Sequence, residues 1–376
     1  MKVLGFMTGT SLDAVDMAVL ETDGEAITAF GPAGERKLSE ATRDAVLAAT
    51  HDALKWERQT PEPQSFAPAA KAVAQEHFDA ASSFLEEHGL GWSQFDLIGM
   101  HGQTVLHERP NAERIGRTVQ LGDAQALADL TGVPVAFDFR TADVAAGGEG
   151  APLAPIYHLA RARAGGLEPP VAILNIGGVA NVTLIDADGT MLGFDTGPGN
   201  GMIDLLMQDR GAGRFDAGGK YASVGAVDEA ALTAMLAHPY FEAAPPKSLD
   251  RYDFSLEPVA SLRLEDAAAT LVAFTAAGVG KGVAYASVQP KALIVCGGGR
   301  HNPEVMKALE AALPMPVKTA EDLGWRGDSI EAEAFAYLAA RTAKGLPISF
   351  PGTTGVKAAM TGGRIVTPRL NEPSPS

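Results

Sequence analysis

Three short glycine-rich segments each follow an apolar run of the sequence, and segments of this kind can bind phosphate groups. Because glycine has no side chain, its backbone can approach an anion closely and point N–H groups at phosphate oxygens. The segments are Gly9-Thr-Ser-Leu-Asp13, then Asn175-Ile-Gly-Gly178 with Phe194-Asp-Thr-Gly-Pro-Gly-Asn200, and finally Cys296-Gly-Gly-Gly299. The first alone is equally compatible with an ordinary hairpin turn. Three together predict a site for a nucleoside triphosphate.

The residues predicted to contact that nucleotide come from these turns and from the residues that follow the first of them. Mg²⁺ binds few carboxylates together with phosphates, so Asp13 and Asp195 are its candidate ligands, with turn capping as the alternative for each. The sequence contains no G-x-x-x-x-G-K-[ST] motif and no well-placed G-x-G-x-x-G motif, which disfavours P-loop and Rossmann sites. The candidate nucleotide contacts are Gly9, Thr10, Ser11, Leu12, Asp13, Ala14, Val15, Asp16, Asn175, Gly177, Gly178, Asp195, Gly197, Gly199, Asn200, Gly297, Gly298 and Gly299.

The elements that must position these turns alternate between strands and helices. Apolar runs at 3–7 and 15–20 flank the first turn and predict a hairpin, and 171–185 predicts a second one. Each half of the chain therefore begins with a glycine-turn hairpin, which favours an α/β fold with mixed sheets covered by helices. Further strands are predicted within 24–38 and 95–100, and over 133–139 and 292–296, with 101–107 as a polar turn. Helices are predicted over 39–50, 69–88, 120–132, 202–210, 229–237, 264–286, 303–312 and 329–343.

Length and composition limit the possible classes of protein. A chain of 376 residues with 46% hydrophobic residues indicates two globular domains. The net charge of −16 argues against nucleic acid or an anionic membrane surface as a partner. The single cysteine, Cys296, excludes an internal disulfide framework. We see neither an export signal nor a long apolar span, so we expect a cytoplasmic protein.

Seven segments, in the same order, make nearly the whole chain resemble the anhydro-N-acetylmuramic acid kinases of bacterial cell-wall recycling. More distantly, the chain resembles the superfamily of actin, sugar kinases and heat-shock-chaperone ATPases. The resemblance implies a two-lobed, actin-like and ribonuclease-H-like fold with the nucleotide in the interlobe cleft. It places the lobes at 1–165 and 166–376, with the C-terminal segment as a candidate to return to the first lobe. The seven segments are 7–16, 101–107, 138–153, 175–181, 193–200, 296–302 and 331–336.

The same resemblance implies a reaction and its participants. Water opens the 1,6-anhydro bridge of the amino sugar while O6 takes the γ-phosphoryl group of ATP, giving N-acetylmuramate 6-phosphate. ATP and Mg²⁺ are the implied cofactors, a small anhydro amino sugar is the substrate, and a second copy of the chain is the partner in a homodimer. The protein itself must supply a general base for the water and donors for the phosphates.

The family pattern assigns catalytic and sugar-binding roles to residues of this chain. Asp143 corresponds to the base, with a helix or turn cap as the alternative. Glu331 corresponds to a glutamate expected near the sugar, although the helix macrodipole alone also favours a glutamate in a first helical turn. His101 and His107 lack a third ligand at metal-binding spacing, which disfavours a metal site there. The residues expected to bind the sugar are His101, Gln103, Thr104 and Arg140.

Three residues depart from the family pattern, and one of them bears on the substrate. Thr8 and Ala14 replace a serine and a glycine, and the turn should tolerate these small changes. Glu149 replaces a glutamine and adds negative charge near a pocket for an anionic lactyl sugar. A kinase for another anhydro sugar, such as levoglucosan, is therefore an alternative, and a non-catalytic, actin-like nucleotide switch is another.

A partial match to a family segment near position 250 leaves its role open. Lys247, Ser248 and Arg251 are candidates for substrate binding, for a dimer contact or for a solvated face.

Overall fold

The computed structural model describes residues 1–9, 11–110, 113–249 and 253–369. Two compact units are present. Unit 1 comprises Met1–Ala164, Glu331–Pro351 and Gly355–Ser376, and unit 2 comprises Gly165–Ile330 and Gly352–Thr354. The candidate residues Thr10 and Arg251 lie outside the described part of the chain.

Unit 1 is built on a six-stranded mixed sheet with the order β13-β7-β4-β1-β2-β3. The first three strands in sequence are antiparallel neighbours, whereas β4 and β7 extend the sheet in parallel from β1. A separate hairpin pairs β5 with β6. The strands are β1 (Lys2–Met7), β2 (Ala14–Thr22), β3 (Ile27–Lys37), β4 (Leu97–Met100), β5 (Gln103–Glu108), β6 (Arg117–Leu121), β7 (Val135–Phe137) and β13 (Arg364–Val366).

Unit 2 repeats the same plan in a five-stranded sheet with the order β10-β9-β8-β11-β12. Here too the first three strands are antiparallel and the last two join the first in parallel. This order and these directions are the ribonuclease-H-like arrangement expected from the sequence, so the mixed α/β fold is confirmed. The strands are β8 (Val171–Ile176), β9 (Val179–Ile185), β10 (Met191–Pro198), β11 (Leu293–Cys296) and β12 (Val317–Thr319).

Helices cover the sheets and bury the apolar side chains of each unit. They comprise α1 (Glu40–Ala53), α2 (Phe66–Glu87), α3 (Ala124–Thr131), α4 (Thr141–Ala145), α5 (Pro155–Ala164), α6 (Gly201–Asp209), α7 (Glu229–Leu236), α8 (Leu264–Val283), α9 (Pro303–Ala312), α10 (Ile330–Ala343) and α11 (Pro351–Thr354).

Helix α10 packs so closely on the sheet of unit 1 that two strand positions accept only glycine. A Cβ atom on Gly5 would lie 2.0 Å from the carbonyl oxygen of Ala332, and one on Gly99 would lie 2.2 Å from that of Phe335. Glycine within a strand often marks such a close approach of another backbone. The strand glycines thereby determine where α10 presents Glu331 and Phe335.

The region around residues 101–132 differs from the prediction. Residues 101–107, predicted as a polar turn, contain strand β5, and Gln120, predicted to be helical, lies in β6 opposite Thr104. The helix begins only at Ala124, where the side chain of Asp123 caps it by accepting a hydrogen bond from the N–H of Ala126. Gln120 and Leu121 therefore belong to a strand and not to the predicted helix, because pairing with β5 satisfies the backbone of two segments at once.

Several further elements, α11 among them, had no counterpart in the sequence prediction. Helix α5 belongs to unit 1, and strands β12 and β13 lie at sheet edges. Helix α4 carries Asp143, which was expected only to follow a strand. Four of these elements, α4, α11, β12 and β13, are five residues long or shorter, and their periodicity is too brief to detect.

Candidate functional site

The carboxylate of Asp143 is buried and held in one orientation by the loop that follows it. Asp143 is 1% exposed, and its Oδ1 accepts a hydrogen bond of 2.7 Å from the backbone N–H of Gly150. The N–H of Gly148 donates to the main-chain carbonyl of Asp143 at 2.9 Å. A Cβ atom on Gly148 would lie 2.2 Å from Oδ1, so the loop can close on the carboxylate only with glycine there.

Arg140 connects this loop to His101. Its Nη1 donates to the carbonyl oxygen of Gly150 at 2.7 Å, while Nε and Nη2 lie 3.1 and 3.0 Å from His101 Nε2. Just before it, Asp138 adopts a left-handed backbone conformation with φ of 55°, a conformation uncommon outside glycine. That turn at the end of β7 buries Phe139 and directs the chain into α4.

His101 is buried at the end of β4, and its ring packs on Phe335 of α10 with a centroid distance of 4.5 Å. Burial lowers the pKa of His101 well below its usual value, and the positive charge of Arg140 lowers it further. The imidazole is therefore neutral at physiological pH. A neutral ring that accepts at Nε2 carries its proton on Nδ1.

The sugar-binding candidates Gln103 and Thr104 point to different sides of β5. Gln103 is buried, and its Nε2 lies 3.4 Å from the carbonyl oxygen of Gly9 in the first glycine turn. Within the described residues, the Oε1 of Gln103 and the Oγ1 of Thr8 are buried without a hydrogen-bond partner. Thr104 instead accepts a hydrogen bond from Gln120 across the β5–β6 hairpin. Of the two, only Gln103 is linked to the glycine turn.

Glu331 lies at the start of α10 and is exposed to solvent. The protein around it nevertheless desolvates its carboxyl group enough to raise the pKa, and the nearby Arg140 acts in the opposite direction. Two residues further along α10, the buried Glu333 accepts a hydrogen bond from the Tyr157 hydroxyl of α5. Unit 1 thus brings together His101, Arg140, Asp143 and Glu331, while Gln103 contacts the first glycine turn.

The first glycine turn connects β1 and β2 in unit 1. The N–H of Leu12 donates to the carbonyl of Gly9 at 3.2 Å, and Leu12 has a φ of 55°. The side chains of Leu12 and Val15 are buried in the core, which leaves their backbone for any ligand contact. Ser11 and Asp13 are exposed in the turn, whereas Ala14 and Asp16 are half-buried in β2.

In unit 2 the remaining glycine segments are assembled around the end of β8. The N–H groups of Gly199 and Asn200 donate to the carbonyls of Gly178 and Gly177 at 3.0 and 2.7 Å. A Cβ atom on Gly297 would lie 2.3 Å from the Oδ1 of Asn175, so the third segment also packs directly on β8. The structure therefore brings the second and third predicted segments together.

A pocket of about 300 Å³ opens beside these glycine segments, entirely within unit 2. Its walls combine predicted residues, Asn200 and Gly298, with residues that the sequence analysis missed. Phe215 is 61% exposed there, which is unusual for a large aromatic side chain. The sequence signal that could have identified this pocket residue is an aromatic side chain in a loop otherwise rich in glycine and aspartate. The missed residues are Ile203, Asp204, Phe215, Asp216, Gly218, His301 and Asn302.

Arg300 holds the third glycine segment in place. Its buried guanidinium binds Glu321 through Nε and Nη2 at 2.9 and 2.6 Å, and Asp328 through Nη1 and Nη2 at 2.6 and 2.7 Å. Nη1 also donates to the carbonyl of Gly297 at 2.8 Å. The Arg300 guanidinium lowers the pKa of both carboxyl groups. The sequence had not singled out this ion-pair cluster.

Asp195, a predicted magnesium ligand, also shapes the backbone around it. Its Oδ2 accepts from the N–H of Leu249 at 2.7 Å, and its own N–H donates to the carbonyl of Lys247 at 3.1 Å. Lys247 donates from Nζ to the carbonyl of Tyr240 and lies 4.5 Å from the centre of that ring. Desolvation lowers the pKa of Lys247. Across the described residues, no group of three or more His, Cys, Asp or Glu side chains is arranged to bind a metal ion.

Comparison with known proteins places the chain among sugar kinases. The family model described as anhydro-N-acetylmuramic acid kinase matches residues 1–368. Anhydro-N-acetylmuramic acid kinase from Phenylobacterium zucineum is 74% identical over 98% of this chain and 100% of its own length, and that from Caulobacter vibrioides is 73% identical over 97% and 99%. Among solved structures, component A of the Acidaminococcus fermentans (R)-2-hydroxyglutaryl-CoA dehydratase aligns over 92% of this chain and 99% of its own, with 14% identity and a TM-score of 0.47.

No described helix is long and apolar enough to cross a membrane.

Proposed function

Because the chain belongs to the anhydro-N-acetylmuramic acid kinase family, we propose that it uses ATP to phosphorylate anhydro-N-acetylmuramic acid while hydrolysing its 1,6-anhydro bridge. The observation that carries the proposal is the buried Asp143 carboxylate, oriented by the N–H of Gly150. A general base must be fixed in this way to act on a single water molecule. A non-catalytic nucleotide switch would have no use for such a carboxylate.

In the proposed reaction Asp143 accepts a proton from water as the water oxygen bonds to C1 of the sugar. The bond between C1 and O6 breaks, and O6 attacks the γ-phosphorus of ATP. The bond from that phosphorus to the β,γ-bridging oxygen then breaks, and ADP leaves. The second carboxyl group, Glu331, has a raised pKa and lies near Arg140, so we place it beside the sugar.

We assign the adenosine of ATP to the pocket in unit 2. The backbone around Gly177, Gly178 and Gly298 is unobstructed, since no atom lies closer than 3.7 Å to a Cβ atom built there. Such a surface suits phosphate oxygens and a flat base. Bound ATP supplies the phosphoryl group, and Mg²⁺ would neutralise its phosphate charge. Asp13, which is exposed in unit 1, and Asp195, in unit 2, each stay a candidate ligand for that ion.

The substrate, the assembly and the cellular location are also proposals. We propose an anhydro amino sugar as the small-molecule substrate and a homodimer as the assembly, and the cytoplasmic location stays a prediction. Glu149 is half-buried and lies in the sequence between Gly148 and Gly150, whose N–H groups donate to Asp143. A negative charge on Glu149 would repel the lactyl carboxylate of the muramic sugar. Levoglucosan lacks that carboxylate and is therefore the alternative substrate.

The test is to incubate purified protein with ATP, Mg²⁺ and each anhydro sugar in ¹⁸O-labelled water. We expect N-acetylmuramate 6-phosphate that carries the label at C1, detected by mass spectrometry. Phosphorylation of levoglucosan alone would show that the sugar assignment is wrong, and absence of any phosphorylated sugar would reject the kinase. The Glu149→Gln variant, run in parallel, measures how far that charge shifts preference between the two sugars.

A further inference from the structure

A continuous set of contacts runs from His101 to the carboxylate of Asp143, entirely within unit 1. His101 Nε2 is contacted by two nitrogen atoms of Arg140, and a third nitrogen of Arg140 donates to the carbonyl of Gly150. The N–H of Gly150 donates to Asp143 Oδ1. The peptide of Gly150 therefore lies between Arg140 on one side and the carboxylate on the other.

The position of His101 does not suit the sugar contact expected from the sequence. The residue is only 5% exposed, its ring packs on Phe335, and its Nε2 faces Arg140. A ligand could reach Nε2 only by displacing the guanidinium. Through Nε2, His101 thus contacts the residue that holds the loop.

The protonation state of His101 matters for this contact, because only a neutral ring can accept from Arg140. The charged and titratable groups that influence it are Arg140, His77 and His107, and each lowers its pKa beyond the effect of burial. The accepting form therefore persists through the neutral range. A fixed acceptor holds the planar guanidinium of Arg140 in one orientation. Without that acceptor the side chain could rotate.

We propose that His101 is a positioning residue for this reaction: it orients Arg140, which holds the Gly150 peptide so that its N–H keeps the Asp143 carboxylate aimed at the water. The proposal rests on the proposed function, since it requires Asp143 to be the base. It changes the role of His101 from sugar contact to support of the catalytic carboxylate. Displacements of about 1 Å in such a group can lower a rate by about 10²-fold.

The test compares two substitutions of His101 by amide side chains of different length. In His101→Gln the side-chain oxygen can occupy roughly the place of Nε2 and accept from Arg140, whereas in His101→Asn it is too short. We expect His101→Asn to lower kcat at least about 10-fold with the KM for ATP nearly unchanged, and His101→Gln to recover most of that loss. The control is His77→Gln, which alters an equally buried histidine that has no contact with Arg140 or Gly150 among those the structure gives.

A double-mutant cycle separates positioning from a general loss of folding. In an Asp143→Asn background the further change His101→Asn should have little additional effect on kcat, because the group it acts through is already gone. Equal kcat values for the Asn and Gln variants, a His77→Gln variant as slow as His101→Asn, or additive effects in the cycle would each overturn the proposal. Melting temperatures measured on all variants show whether each one is folded. A wild-type protein without sugar phosphorylation would instead reject the proposed function.

Discussion

The N–H of Gly150 donates a hydrogen bond to Oδ1 of Asp143, across seven positions of sequence and 2.7 Å of space. Hydrogen bonds from backbone N–H groups to a buried carboxylate fix its direction and compensate for part of its desolvation. The loop 147–150 therefore holds the carboxylate that we propose as the base, and the first two predictions below follow from this arrangement.

Asp143→Asn should abolish most of the turnover. The amide has the same shape but cannot accept a proton from water, so we expect kcat to fall by at least about 10²-fold. Binding of ATP should be nearly unchanged, because the nucleotide is assigned to other residues. Steady-state kinetics and nucleotide binding by calorimetry measure the two effects separately. Unchanged turnover would remove Asp143 from the mechanism.

Gly148→Ala should reduce activity through the position of Asp143. The added Cβ atom would lie 2.2 Å from Oδ1 and would force the carboxylate or the loop to move. We expect kcat to fall by about 10²-fold, the usual effect of displacing a catalytic group. Gly91→Ala is the matched control, since a Cβ atom there meets nothing within 4 Å. If both variants retain wild-type kcat, the loop tolerates displacement and the geometric argument is wrong.

Phe215→Ala should weaken nucleotide binding without changing the chemical step. Its exposed ring forms one wall of the unit 2 pocket and is suited to packing on a flat base. We expect the KM for ATP to rise by about 10-fold with kcat retained, since stacking of one base on one ring contributes roughly 1–3 kcal/mol. Val224→Ala, which changes another exposed apolar side chain of unit 2, is the control. Equal KM values in the two variants would place the base elsewhere.

Arg300→Lys should loosen the third glycine segment. Lysine keeps the charge but cannot bind Glu321 and Asp328 as a planar fork while also donating to Gly297. We expect the Kd for ATP to rise by about 10-fold and the affinity for the sugar to be unchanged. The control is Arg263→Lys, which alters a solvent-exposed pair with Asp266 and should have almost no effect. An unaltered Kd in Arg300→Lys would show that the ion pairs do not shape the pocket.

Unit 1 should lose stability in mild acid because of buried histidines. Burial lowers the pKa of His77 from 6.5 to about 4. Above pH 6.5 both states are neutral, and as the pH falls towards 4 the unfolded chain binds a proton that the folded state does not. Between pH 7.5 and 5 this histidine should lower the free energy of unfolding by about 2 kcal/mol.

The measurement for His77 is urea denaturation of wild type and His77→Phe at the two pH values. The fluorescence of Trp56 and Trp92 in a Trp325→Phe background reports on unit 1 alone. We expect the phenylalanine variant to show a smaller loss between pH 7.5 and 5. A loss equal to that of wild type would mean that His77 is protonated in the folded state.

Several features of the fold followed directly from short stretches of sequence. The hairpin around the first glycine turn, the helix capped by Ser39 and the helix that begins with Pro303 are present as predicted. In each case the signal lies within a few neighbouring residues: apolar alternation, a capping side chain or a proline in the first turn. By contrast, β5 and β6 were missed, because each strand is stabilised by the other rather than by its own residues.

The sequence by itself determined the family, the glycine turns and the identity of Asp143 as the candidate base, because these depend on residue types in fixed local order. The tertiary structure decided which groups surround that base. His101 and Arg140 are 39 positions apart, and Phe335 reaches His101 only because α10 joins unit 1 and packs on Gly5 and Gly99. Such contacts are formed by long-range packing, so no local pattern records them. Assigning His101 to the support of Asp143 therefore required the folded chain.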